Sequence, residues 1–273
     1  MKNLLQILTT VLIFNLLNIN AQSYNSFYND IVSNVSQANI LADLTTFESY
    51  GVKTIGTSAL NNTQAWIKAR YQSLGYADIV EQPFSYSGGT TNNIIITKTG
   101  TTYPNTFLII DGHFDTINGP GTNDNGSGTV LIMELARLLK DVDTEYSIKF
   151  IHFSGEEYGL IGSNYYVDNT VIPENLDIKL VFNIDEVGGD GSKTNDTIVC
   201  ERDQGSPTIN NAASNIATQE LATCIELYSS LNTEISYAYG SDYMPFEDNG
   251  EIITGLYEKN VTPHYHSPTD VLA

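Results

Sequence analysis

Two adjacent glutamates, Glu156 and Glu157, stand in the stretch FSGEEYGLIGS (153–163). They follow YSIKFIHF (146–153), an apolar run that reads as a buried strand. Two like charges beside a core are costly unless a positive group compensates them. Groups of the same chemical kind follow other apolar runs. His113 and Asp115 follow TFLIIDG, in GHFD, and Asp185 follows IKLVFNI, in NIDEVGG. His266 follows EIITGLY, in HYHSPTD, and Asp124 lies in the glycine-rich turn GPGTNDNGSG. Nitrogen and carboxylate donors without thiolates suit Zn²⁺ or Mn²⁺ in hydrolytic sites. One aspartate placed between two ions can bridge them at about 3.5–4 Å.

Each residue also has a plainer reading. Asp124 could cap the helix that begins near residue 126. Glu156 and Glu157 could open a helix, where acids suit the dipole. Asp185 could be a turn residue and His266 an exposed one. The joint pattern is more specific than its parts, because the segments that carry these residues end in the same way.

Those segments are short aliphatic runs bounded by turn residues: NNIIITKTG, TFLIIDG, 146–153, 178–184 and 251–257. All read as strands. Helices are predicted over 58–76, closed by Gly75, over 126–140, and within 206–230, with short helices in 24–50. Strands that alternate with helices predict an α/β domain. Near-continuous apolar strands predict a mixed, mostly parallel sheet covered by helices on both faces. Sites in such sheets gather beyond the carboxyl ends of the strands, so the five polar clusters are expected at one edge.

The segments GHFDT, GPGTNDNGSGT, FSGEEYGLIGSNYY, NIDEVG, SDYMPF and YHSPTD occur in this order. Together they resemble the M28 peptidases, the co-catalytic zinc aminopeptidases, over roughly residues 40–273. The resemblance implies one domain of the zinc-exopeptidase, phosphorylase/hydrolase-like kind over residues 22–273, and two Zn²⁺ ions as cofactors. It implies that His113 and Asp185 hold one zinc, that Glu157 and His266 hold the other, and that Asp124 bridges both. Glu156 would be general base and acid toward a hydroxide shared by the ions, and Asp115 would orient the His113 ring. Asp270 would support the His266 loop. Tyr243 or Tyr239 would steady the oxyanion; Tyr243 stands where many relatives have histidine. The implied activity is removal of the N-terminal residue from peptides or proteins, with an apolar first residue preferred. Two alternatives stay open: a glutaminyl cyclase using one zinc on the same fold, and a catalytically inactive binding domain. Removal of C-terminal residues or of dipeptides is a further mode that the sequence leaves unsettled.

A chain of 273 residues, 41% apolar, can fill one substantial core. A net charge of −20 excludes nucleic acid and anionic membrane surfaces as partners. Residues 1–21 read as a signal peptide: Lys2, an apolar stretch, then Ala21. That predicts an exported monomer, periplasmic or extracellular, with no membrane anchor after cleavage. Cys200 and Cys224 are an even pair that an exported protein could join or leave as thiols. The chain stops three residues after Asp270, where related chains continue into a helix; the resemblance leaves open whether this C-terminus is truncated or does without that cover.

Overall fold

A computed structural model describes residues 22–272. The signal-peptide reading of residues 1–21 lies outside the described residues. Two helices open the described chain, α1 (Ser26–Val32) and α2 (Gln37–Ser49), followed by α3 (Ser58–Ser73). Each begins where an Asn, Ser or Thr side chain accepts a hydrogen bond from the first turn: Asn25, Ser36 and Thr57.

Eight strands then form one sheet: β1 (Ile79–Tyr86), β2 (Gly89–Lys98), β3 (Tyr103–His113), β4 (Tyr146–Phe153), β5 (Asp177–Ile184), β6 (Thr197–Arg202), β7 (Asn232–Tyr237) and β8 (Ile253–Glu258). Their order is β1-β2-β4-β3-β5-β8-β6-β7. The central pairs β4/β3, β3/β5 and β5/β8, and the outer pair β6/β7, are parallel. The pairs β1/β2, β2/β4 and β6/β8 are antiparallel. The mixed α/β sheet is as expected.

Three strands go beyond the sequence expectation. β1 contains Pro83 and alternates polar residues, which masks its apolar signal; it is an edge strand, where proline is tolerated. It folds back on β2 through Ser87 (φ 48°) and Gly88 (φ 80°), the left-handed pair that a two-residue hairpin needs. β7 is the opposite edge and is mostly exposed, so it too lacks an apolar run. β6 is only six residues long and ends in charge.

Helix α4 (Gly126–Leu139) crosses between β3 and β4. A helical track runs from α5 (Ile161–Tyr166) through Val167–Val171 to Ile172–Glu174, and α6 (Asn211–Tyr228) and α7 (Met244–Asp248) complete the layers. Consecutive residues of β2 part to opposite faces. Ile94 and Ile96 pack with Phe47, Leu60, Ile67, Val130 and Met133, whereas Ile95 packs with Ile109, Phe153, Tyr166 and Phe246. Both faces are therefore apolar, and the strand reads as an unbroken aliphatic run. The carboxyl ends of β3, β4, β5 and β8 are left as the polar edge.

Candidate metal centre

His113 is the last residue of β3 and is 1% exposed. Its Nδ1 faces the main-chain carbonyl of Asp115 at 3.0 Å. A carbonyl only accepts, so Nδ1 carries the proton and Nε2 is left free to bind. The expectation that the Asp115 side chain orients the ring is corrected here. Its Oδ1 lies 3.8 Å from Nδ1 and instead accepts the main-chain N–H of Glu156 at 3.1 Å. The carboxylate is drawn there because the turn at 155–157 presents free N–H groups.

Asp124 sits between the two histidines. Its Oδ1 is 3.3 Å from His113 Nε2, and its Oδ2 is 3.0 Å from His266 Nε2. The helix-capping alternative for Asp124 fails, because the next residue does that work. Asn125 Oδ1 accepts from Gly128 N at 2.9 Å, and Asn125 Nδ2 donates to Ile184 O at 2.9 Å. Helix α4 comes so close to β5 that a Cβ at Gly128 would meet Ile184 O at 2.3 Å. Asp270 holds the Asp124 loop rather than the His266 loop alone: its carboxylate accepts Asn123 N at 2.8 Å and Asp124 N at 3.1 Å.

The two glutamates diverge. Gly155 takes a left-handed conformation (φ 79°) and starts a single 3₁₀ turn, Glu156–Tyr158. Glu157 Oε2 reaches His266 Nε2 at 2.8 Å. Glu156 Oε2 stays 3.9 Å from His113 Nε2. Asp185 Oδ1 lies 3.5 Å from His113 Nε2, and Ser241 Oγ donates to Asp185 Oδ2 at 2.8 Å. Two donor sets result, His113/Asp124/Asp185 and Asp124/Glu157/His266, each with its donor atoms within 4.8 Å of one another. Asp124 belongs to both and Glu156 to neither.

Electrostatics test the fit of a cation. Burial raises Glu157 to about 9 and Glu156 to about 7; His113 opposes both shifts, and neighbouring carboxylates reinforce them. Burial also works to raise Asp124, but hydrogen bonds from His113 and His266 win and its pKa falls. Asp185 Oδ1 and Glu157 Oε1 are buried without a hydrogen-bond partner. Acceptors crowd together here with no lysine or arginine among their ion pairs. A divalent cation would satisfy the orphaned oxygens and bring the raised glutamate pKa values back down. Mixed imidazole and carboxylate donors fit zinc.

Tyr243 is 1% exposed, and its hydroxyl donates to Glu201 Oε2 at 2.9 Å. That bond commits the proton that an oxyanion would need. Tyr239 is 76% exposed on the loop after β7, and its N–H donates to the Tyr243 hydroxyl at 3.3 Å. Sequence reasoning did not single out Ser241, Asn123 or Asn125; only their place inside quoted motifs marked them. Cys200 and Cys224 are free thiols.

Residues 93–273 match the model of peptidase family M28. The chain belongs to that family. It is 33% identical to Aminopeptidase YwaD of Bacillus subtilis over 193 residues, 68% of this chain and 41% of the relative. Among solved M28-like structures, BSAP, a zinc aminopeptidase from Bacillus subtilis, is 30% identical with a TM-score of 0.56, over 69% of this chain and 46% of that one. The LapA aminopeptidase of Legionella pneumophila shares the fold at 21% identity and a TM-score of 0.77, over 94% and 70%. A glutaminyl cyclase from Fimbriiglobus ruber shares it at 18% and 0.71, over 87% and 88%. The matched stretch of this M28 chain spans less than half the length of curated relatives such as YwaD.

Proposed function

We propose that this chain is a zinc-dependent aminopeptidase that removes the first residue of a peptide by hydrolysis. The observation that carries the reading is the shared position of Asp124 between two complete donor sets, with Glu156 beside them and in neither. His113 and Asp185 would hold one ion, Glu157 and His266 the other, and Asp124 both. Two zinc ions, when bound, polarise the scissile carbonyl and bring the pKa of a water toward neutrality.

The rest is the work of this chain's own side chains. Glu156 takes a proton from the attacking water and returns it to the leaving amine. Asp115 fixes Glu156 through its main-chain N–H, and Ser241 fixes the rotamer of Asp185. Tyr239, an exposed residue whose hydroxyl is not committed to Glu201, is the better candidate of the two tyrosines for the developing oxyanion. An apolar first residue is the preference carried over from the family resemblance. The proposed setting is an exported, monomeric catalytic domain over residues 22–273. Among the described residues no helix is long and apolar enough to cross a membrane.

A cyclase reading needs one ion only, and the completeness of both donor sets weighs against it. The test uses purified chain supplied with zinc. Release of p-nitroaniline from Leu-p-nitroanilide and about two zinc ions per chain are expected. Ammonia loss from an N-terminal glutamine peptide without anilide hydrolysis would establish the cyclase instead. Neither activity, with less than one ion bound per chain, would overturn the two-metal reading.

A further inference from the structure

Among the described residues, Lys53 is the one lysine or arginine that is buried, with a relative exposure of 0%. A buried lysine is expensive unless its donors are met. Its Nζ donates to Pro120 O at 2.7 Å and to Gly51 O at 2.9 Å, and it lies 3.6 Å from the centre of the Phe47 ring. The main chain of Lys53 is tied to the same loop: its N–H donates to Thr116 Oγ1 at 2.9 Å, and its carbonyl accepts Thr116 N at 3.2 Å. Thr116 Oγ1 in turn donates to Gly119 O.

Pro120 lies four residues before Asp124 on the loop between β3 and α4. The downstream end of this loop is fixed by Asp270, which takes the N–H groups of Asn123 and Asp124. Thr122 is held by the carboxylate of Glu48 at 2.8 Å. Its upstream half, 116–120, has no such carboxylate. Lys53 and Thr116 supply the fixing there.

We infer that Lys53 is a positioning residue for Asp124: it clamps the upstream half of the loop so that one carboxylate can face both donor sets. The inference rests on the proposed reading of Asp124 as the shared donor. Burial lowers the pKa of Lys53 to about 7, against the charges of Asp270 and Glu48. The clamp does not depend on that titration, because ammonium and amine alike have two N–H groups for the two carbonyls.

The test compares the full chain with Lys53→Met, Lys53→Gln and Lys53→Arg. Zinc affinity is measured by competition with a chromophoric chelator, folding by circular dichroism, and kcat and KM on Leu-p-nitroanilide. In folded Lys53→Met or Lys53→Gln, zinc affinity is expected to fall about 10–100-fold, the usual cost of losing a group that orients a ligand. Both ions should weaken together, because Asp124 serves both. Lys53→Arg, which keeps two donors, should recover most of the loss. Under saturating zinc, kcat should fall with KM nearly unchanged. A folded neutral variant with zinc affinity within about twofold of wild type, a difference worth only tenths of a kcal/mol, overturns the inference. So does failure of both neutral variants to fold, which would make Lys53 a folding element only. If wild type hydrolyses no aminoacyl anilide, the proposed function fails while the zinc titration still decides Lys53.

Discussion

Asn125 caps helix α4 and so releases its neighbour Asp124: Asn125 Oδ1 takes Gly128 N, while the Asp124 carboxylate turns to His113 and His266. Adjacent residues of similar shape are thus separated: Asn125 closes the helix end and Asp124 faces the two histidines. Asn125→Ala should cost stability of roughly 1–3 kcal/mol, from the cap and the bond to Ile184 O. Asp124→Ala should leave the cap intact and abolish retention of both ions. Urea unfolding of metal-free protein, paired with zinc analysis, separates the two. Equal zinc loss in both variants, with equal stability, would contradict the division.

Glu156 and Glu157 allow the same kind of separation. Glu156→Gln keeps the size of the side chain and leaves both donor sets whole. It should bind zinc as wild type does, keep KM, and lose about 10²–10⁴ in kcat. Glu157→Gln should lose one ion first, the one held with His266. Isothermal titration with zinc beside steady-state kinetics checks both. Retained turnover in Glu156→Gln, or equal metal loss in the two variants, would refute the assignment.

The clustering of the polar residues at one edge was more legible in the sequence than the outer strands, for a physical reason. The candidate donor residues follow runs from the middle of the sheet, such as β3 and β5, and these announce themselves by apolarity. β1 and β7 are edges with solvent on one side, so their apolar signal is diluted. The orienting partners were less legible than the residues they orient. The family resemblance paired Asp115 with His113, but only geometry shows that its carbonyl faces the ring and its carboxylate holds Glu156 N. Lys53 lies 67 residues before Pro120 and left no local trace. The sequence offered Asp124 as a cap and passed over Asn125, although both types cap equally well.

Stability toward acid should depend on His152. This residue of β4 is fully buried, with Nε2 2.9 Å from the Tyr71 hydroxyl and Nδ1 without a partner. Burial depresses its pKa from 6.5 to about 3. The unfolded chain therefore binds the proton first as pH falls. The stability that neutral His152 permits is whole above about pH 6.5 and is lost progressively toward pH 3, by at most roughly 4–5 kcal/mol. His152→Gln, with no proton to gain, should be less stable at pH 7 yet lose less between pH 7 and pH 4.5. Urea midpoints of the two proteins at both pH values check this. The same drop in both would rule His152 out.

Zinc should stabilise the fold, because the donor sets join four strand ends that the metal-free chain holds together against charge repulsion. Glu157 and Glu156 are pushed toward their neutral forms when no cation is present, and Asp185 Oδ1 has no partner. Removing metal with a chelator should lower the melting temperature, and adding zinc at a thousand times its Kd should restore about 4 kcal/mol per site. Two sites of unequal affinity would give two steps in melting temperature against zinc concentration. Asp124→Ala should abolish both steps, whereas Glu157→Gln should abolish one. A melting temperature that does not respond to zinc in the wild-type chain would exclude a resident metal at this edge of the sheet.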